Sequence, residues 1–126
     1  VKYGVDTFDC VEPTRLARMG QIYRMTRLDT VFFADFTLKG PKSFAQKRYL
    51  RLEDDINILK TIYKNNLEKI DESCNCYVCT NFTKSYLHHL FKQREILGYT
   101  LATYHNLWTM EKLFEKIREM IGNDLI

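Results

Sequence analysis

The sequence predicts an α/β chain, on three observations. Short runs of β-branched and aromatic residues dominate its first half. Two helical periodicities occupy its second half. Between them three cysteines, Cys74, Cys76 and Cys79, are crowded together.

The 126 residues suit one small domain or a piece of a larger one. A composition that is 45% hydrophobic, 28% charged and 13% aromatic argues for a packed core and against disorder. The longest apolar runs fall far short of the roughly 20 residues that span a membrane. A net charge of +3 is too small for composition alone to announce a nucleic-acid partner. The chain opens on Val1, with neither an initiator Met nor a basic-then-apolar leader, as expected of a segment that begins inside a longer protein.

Residues 1–11, VKYGVDTFDCV, read as a short buried strand entering a functional loop, and Glu12-Pro13-Thr14-Arg15 starts a helical turn with Pro13 near its first position. Between residues 21 and 67, QIYRMT, TVFFADFTL, KRYLRL and NILKTIY are strand candidates, with a turn at Gly40-Pro41. From Thr83 to Leu97 the pattern becomes helical, with Tyr86, Leu87, Leu90, Phe91 and Ile96 or Leu97 on one face. The Thr83 hydroxyl is placed to cap that helix, and Gly98 to stop it. A second helix is predicted from about Thr103 to Ile121. Its apolar stripe is Leu107, Met110, Leu113, Phe114, Ile117, Met120 and Ile121, and Gly122-Asn123 ends it.

The sharpest chemical feature is Cys74-x-Cys76-x-x-Cys79. Disulfide frameworks spread an even set of cysteines along a chain, whereas crowding favours a metal knot in a reducing, cytosolic setting. Zinc takes four soft or borderline ligands at tetrahedral angles, and one tight knuckle offers three. The fourth candidates are His88, His89, His105 and Cys10. The helix after the knuckle carries His88 and His89 away from the metal. An antiparallel helix pair returns His105 to it, so His105 is preferred. The competing readings are a redox cluster and a chance grouping.

Near the start, Asp9 ends the first strand, a position suited to covalent or acid–base chemistry. Asp6 is a similar candidate. By pattern alone the ordinary reading of Asp9 is a loop aspartate, and that of Cys10 a small buried side chain. Arg15 and Arg18 share a helix face, which fits phosphate or base contact as well as a solvated surface. Lys42, Lys47, Arg48 and Arg51 interleave with Phe44 and Tyr49, a combination that can follow an RNA backbone or cover a strand.

Three segments together resemble the tRNA-guanine transglycosylase (queuine tRNA-ribosyltransferase) family. GVDTFDCVEPTRLARMG is similar to its catalytic signature, CNCYVCTNFTKSYLHHLF to its zinc knuckle and following helix, and LGYTLATYHNL to the segment with the last zinc ligand. The resemblance implies the C-terminal fragment of a (β/α)8 TIM barrel with a zinc-binding subdomain. Residues 1–20 would be the last barrel strand and catalytic loop. Residues 21–67 would be a mixed strand region with an insertion at 26–54, and residues 68–126 the zinc subdomain and C-terminal helices.

The implied activity is that of a pentosyltransferase, which exchanges guanine at the wobble position of a tRNA with a GUN anticodon for a 7-deazaguanine base. Asp9 would be the nucleophile and form an aspartyl-ribose intermediate, by the two-step logic of a retaining glycosidase. The family's general acid/base lies upstream of this chain. Arg15 and Arg18 match the pair that contacts the anticodon loop. Cys74, Cys76, Cys79 and His105 match the ligands of one structural zinc per chain. Phe82, Tyr86 and His89 fall where the family builds part of its homodimer contact. The alternatives are a non-catalytic partner subunit of that family and a stand-alone zinc module that binds RNA or protein.

Overall fold

The computed structural model describes residues 7, 9–25 and 55–123. Among them the chain is mostly helical. Its elements are α1 (Glu12–Arg18), β1 (Gln21–Ile22), β2 (Ile56–Asn57), a 3-10 turn at Thr61–Tyr63, α2 (Tyr77–Asn81), α3 (Lys84–Lys92) and α4 (Ile96–Gly122). No described helix is long and apolar enough to cross a membrane.

The N-terminal half of α4 is the central strut, and α1, α2, α3 and β1 pack around it. Its buried positions are Gly98, Leu101, Ala102, His105, Asn106 and Thr109, which recur every three or four residues and so form one stripe. Against that stripe lie the apolar side chains of Ala17, Ile22, Ile56, Ile58, Ile70, Val78, Leu87, Leu90 and Phe91, together with the three cysteines of the knuckle. Polar α4 residues thus sit inside an apolar core, where each needs a hydrogen-bond partner or a ligand.

Pro13 stands in the first turn of α1, where its missing N–H costs nothing. Gly20, at φ +79°, turns the chain out of α1, and a Cβ there would lie 3.0 Å from Leu59 Cγ. Its carbonyl then accepts the Ile58 N–H at 2.9 Å. The antiparallel pair β1–β2, with Ile22 opposite Ile56, continues from that contact.

The sequence expectations meet the structure unevenly. Thr83 caps α3 through its side chain, whose oxygen accepts the Tyr86 N–H at 3.2 Å. Gly98 does not stop that helix. Arg94, at φ +57°, makes the turn, and Glu95 N–H reaches back to the Leu90 carbonyl at 2.9 Å. Gly98 lies inside α4, where a Cβ would meet Leu90 Cβ at 3.0 Å, so its role is close helix–helix approach. The last helix starts at Ile96 rather than near Thr103. Its expected apolar stripe is not core: Leu107 and Ile121 are exposed and Met110, Leu113, Phe114, Ile117 and Met120 only half-buried among the described residues.

QIYRMT contributes two strand residues. NILKTIY contributes Asn57 to β2 and then turns, because Asn57 Oδ1 accepts the Leu59 N–H at 3.1 Å and a 3-10 turn follows. Residues 9–11 carry no strand. The rest of the expected first strand (except residue 7), Asp6, TVFFADFTL, KRYLRL, the expected 26–54 insertion and its basic–aromatic residues lie outside the described residues.

Candidate metal centre and the segment it holds

Cys76 begins α2 as its N-cap, and its Sγ accepts the Cys79 N–H at 3.4 Å. A sulfur in that position is hydrogen-bonded as an anion would be, at a helix start where negative charge is favoured. Cys74 approaches from the preceding loop, whose turn is closed by Asp71, with its carbonyl accepting the Cys74 N–H at 3.2 Å. His105 arrives from the third turn of α4. Its Nδ1 lies 3.3 Å from Cys79 Sγ, 3.5 Å from Cys76 Sγ and 3.9 Å from Cys74 Sγ. All four side chains are buried, and their ligand atoms lie within 4.8 Å of one another.

A tetrahedral zinc, with Zn–S of about 2.3 Å and Zn–N of about 2.0–2.1 Å, sets each S···N edge near ~3.6 Å. The three observed separations bracket that value. The donor set therefore fits one zinc-sized ion with no position left over, as in a structural site. His105 Nε2 lies 2.8 Å from the Tyr23 carbonyl, to which it donates. That bond assigns a proton to Nε2, so Nδ1, which faces the sulfurs, is the nitrogen that would ligate a metal once its own proton is lost.

Hydrogen bonds from Cys74 and Cys79 hold the Cys76 thiol well below its usual range, while Cys74 and Cys76 push the Cys79 thiol up. Burial works against a charged His105, but Cys74, Cys76 and the Tyr23 carbonyl outweigh it and its pKa is pushed up to about 10. Three sulfurs in a dry pocket demand positive charge, and a divalent ion supplies more of it than an imidazolium proton does.

The other ligand candidates are elsewhere. His88 Nδ1 donates to the Ile58 carbonyl at 2.7 Å, a satisfied core histidine, while His89 and Cys10 are exposed. Asp9, Arg15 and Arg18 are also exposed, with both arginines in the last turn of α1. Phe82 and Tyr86 stack at 5.3 Å between ring centroids, and Tyr86 shares a surface groove with His89.

Sequence reasoning missed the polar residues that tie the region of the knot to residues 13–25. Asn106 bonds three backbone groups of residues 13–23, and Asp71 Oδ2 accepts the Met25 N–H at 2.6 Å. The available signal was an Asn beside a candidate ligand on the buried stripe of a helix, where a polar side chain needs partners.

The site and scaffold define a class: a helical unit with a buried Cys3His group able to hold a metal ion, packed against a short segment that exposes an aspartate and two arginines. The sequence profile described as queuine tRNA-ribosyltransferase matches residues 1–126. The chain belongs to that family. It is 40% identical over 121 residues to a queuine tRNA-ribosyltransferase of Caldanaerobacter subterraneus, covering 96% of this chain and 25% of that protein. It is 43% identical over 124 residues to the enzyme of that name from Thermosipho africanus, covering 98% of this chain and 26% of that protein. Against the Natranaerobius thermophilus protein the identity is 36%, with the same coverage. The chain thus spans about a quarter of the length of the curated relatives it matches.

Proposed function

We propose that this chain is the C-terminal part of a cytoplasmic tRNA-guanine transglycosylase, with Asp9 as nucleophile and zinc in the Cys3His centre. The observation that carries the reading is the joint placement in one chain of a closed Cys3His knot and the Asp9–Arg18 segment, whose Pro13 carbonyl accepts from Asn106, the residue after His105. The family match over the whole chain supports it.

In this reading an Asp9 carboxylate oxygen attacks C1′ of the wobble ribose. The glycosidic C–N bond breaks, and its electron pair leaves with guanine, which takes up a proton from an acid outside this chain. The ring nitrogen of a 7-deazaguanine base then attacks C1′, gives up its proton and releases the carboxylate. Arg15 and Arg18 hold the anticodon-loop phosphates, for which exposed guanidiniums on one helix face are suited. Zinc, when bound, supplies no open coordination position. Its contribution is to fold and fix the four ligands and, through His105, the Tyr23 segment.

A (β/α)8 barrel built by the rest of the protein, with residues 1–20 as its last strand and catalytic loop, gives the α4 stripe a partner. Two observations support further packing there. Leu107 and Phe114 line a groove with Cys10 and Pro13, and the buried Trp108 indole N–H has no acceptor among the described residues. Homodimerisation through Phe82, Tyr86 and His89 is part of the same proposal.

The test is exchange of labelled guanine into a GUN-anticodon tRNA by the full-length protein. Wild type is expected to exchange it and to form an RNA–protein adduct that survives denaturation. Asp9→Asn is expected to do neither. Exchange at the wild-type rate by Asp9→Asn would overturn the assignment.

A further inference from the structure

Asn106 follows the candidate ligand His105 on α4 and has no solvent exposure. Its Oδ1 accepts the Tyr23 N–H at 3.0 Å, and its Nδ2 donates to the Pro13 carbonyl at 3.1 Å and to the Gln21 carbonyl at 3.0 Å. An amide has two N–H donors and one acceptor oxygen, and here every one is used. The reverse flip would aim an oxygen at two carbonyls, so a single orientation satisfies the site. The groups it holds are not neighbours: Pro13 lies in the first turn of α1, and Gln21 and Tyr23 lie beyond its end. Asn106 therefore spans α1 from end to end. Tyr23 is held a second time, because its carbonyl accepts from His105 Nε2 at 2.8 Å. One turn of α4 thus ties the metal knot to the helix that displays Arg15 and Arg18.

We infer that Asn106 is a positioning residue for RNA, acting through α1 to hold Arg15 and Arg18 in register with the anticodon loop. This deepens the transglycosylase reading and rests on it for the identity of the RNA. With the amide removed, the Pro13 and Gln21 carbonyls and the Tyr23 N–H lose their shared partner. The helix can then settle in positions where the two guanidiniums no longer meet their phosphates together. The zinc ligands are all retained.

The test is a mutant cycle on the full-length protein, read by binding of an anticodon stem-loop RNA. Asn106→Ala is expected to keep one zinc per chain and to lose about tenfold in affinity, within the range seen for coupled neighbouring groups. Its dependence of log K on log salt is expected to be shallower by about one, as for two weakened single-strand phosphate contacts at roughly 0.7 each. In the Arg15→Ala/Arg18→Ala background, adding Asn106→Ala is expected to cost no more than about a further twofold. A purely structural role would not produce that non-additivity. Affinity of Asn106→Ala within twofold of wild type, or losses that multiply in the triple variant, would overturn the inference.

If Asn106→Ala does not fold, hydrogen exchange on the wild type decides. The amides of Tyr23 and the last turn of α1 are expected to open together with Leu101–Thr109 of α4. Exchange there about a hundredfold faster than in α4 would overturn the clamp. Failure of the wild type to bind the RNA at all would sink the transglycosylase reading and with it the RNA half of the inference, while the exchange result still judges the clamp.

Discussion

Replacing His105 separates its two jobs. Its Nδ1 faces three sulfurs and its Nε2 donates to the Tyr23 carbonyl. His105→Ala removes both. A structural zinc of this kind contributes roughly 10–16 kcal/mol of binding free energy in small metal-folded peptides, so losing one of four ligands should weaken zinc by at least about a hundredfold. The variant also leaves the buried Tyr23 carbonyl without its donor, which costs about 1–3 kcal/mol. His105→Cys restores a fourth soft ligand but not the donor. It is expected to keep one zinc and to remain less stable than wild type by about that same 1–3 kcal/mol. The assay is zinc stoichiometry and chelator competition on the full-length protein, beside a denaturant titration. His105→Ala that holds zinc as tightly as wild type would refute the four-ligand account. His105→Cys that matches wild type in stability would refute the role given to the Tyr23 bond.

Three more expectations follow from single contacts. Gly20→Ala should destabilise by about 1–2 kcal/mol, because the residue sits at φ +79° with its new Cβ 3.0 Å from Leu59 Cγ; a denaturant titration within a few tenths of wild type would contradict it. The Lys84 ammonium, 2.9 Å away, and Asn66 hold the Glu68 carboxyl below its ordinary 4.5. A group whose folded pKa is depressed stabilises above its unfolded pKa and loses that contribution as pH falls through the folded one. Wild type should therefore lose stability on acidification below about pH 4.5 more steeply than Glu68→Gln, and parallel acid limbs would count against the pair. Under the proposed dimer contact, Tyr86→Ala, which removes the exposed half of the Phe82–Tyr86 stack, should raise the dimer dissociation constant by about tenfold or more in sedimentation, as expected for an aromatic anchor.

What was legible in the sequence was what depends on neighbours in the chain. Cys74, Cys76 and Cys79 are near in sequence and chemically unlike most residues, and Thr83 needs only the next turn to act as a cap. The helix pair that returns His105 to them follows from one reversal of direction. Gly98 was misread because the usual meaning of a glycine after an apolar run is a helix end. Here Arg94 took the left-handed conformation, and the glycine served contact between α3 and α4. The stripe from Leu107 to Ile121 obeyed helical spacing but is not where the described core lies. Periodicity marks the residues that gain from burial without naming what buries them. Asn106 and Asp71 went unseen because the bonds that tie them to residues 13–25 span 46 or more residues, and no local pattern encodes such a bond.

The most direct test of the central claim is zinc K-edge X-ray absorption on the full-length protein, alongside its metal content. The account predicts one zinc per chain with three sulfurs at about 2.3 Å and one nitrogen at about 2.0–2.1 Å. Two sulfurs, a coordinated water oxygen, or a folded protein that takes up no zinc would contradict it.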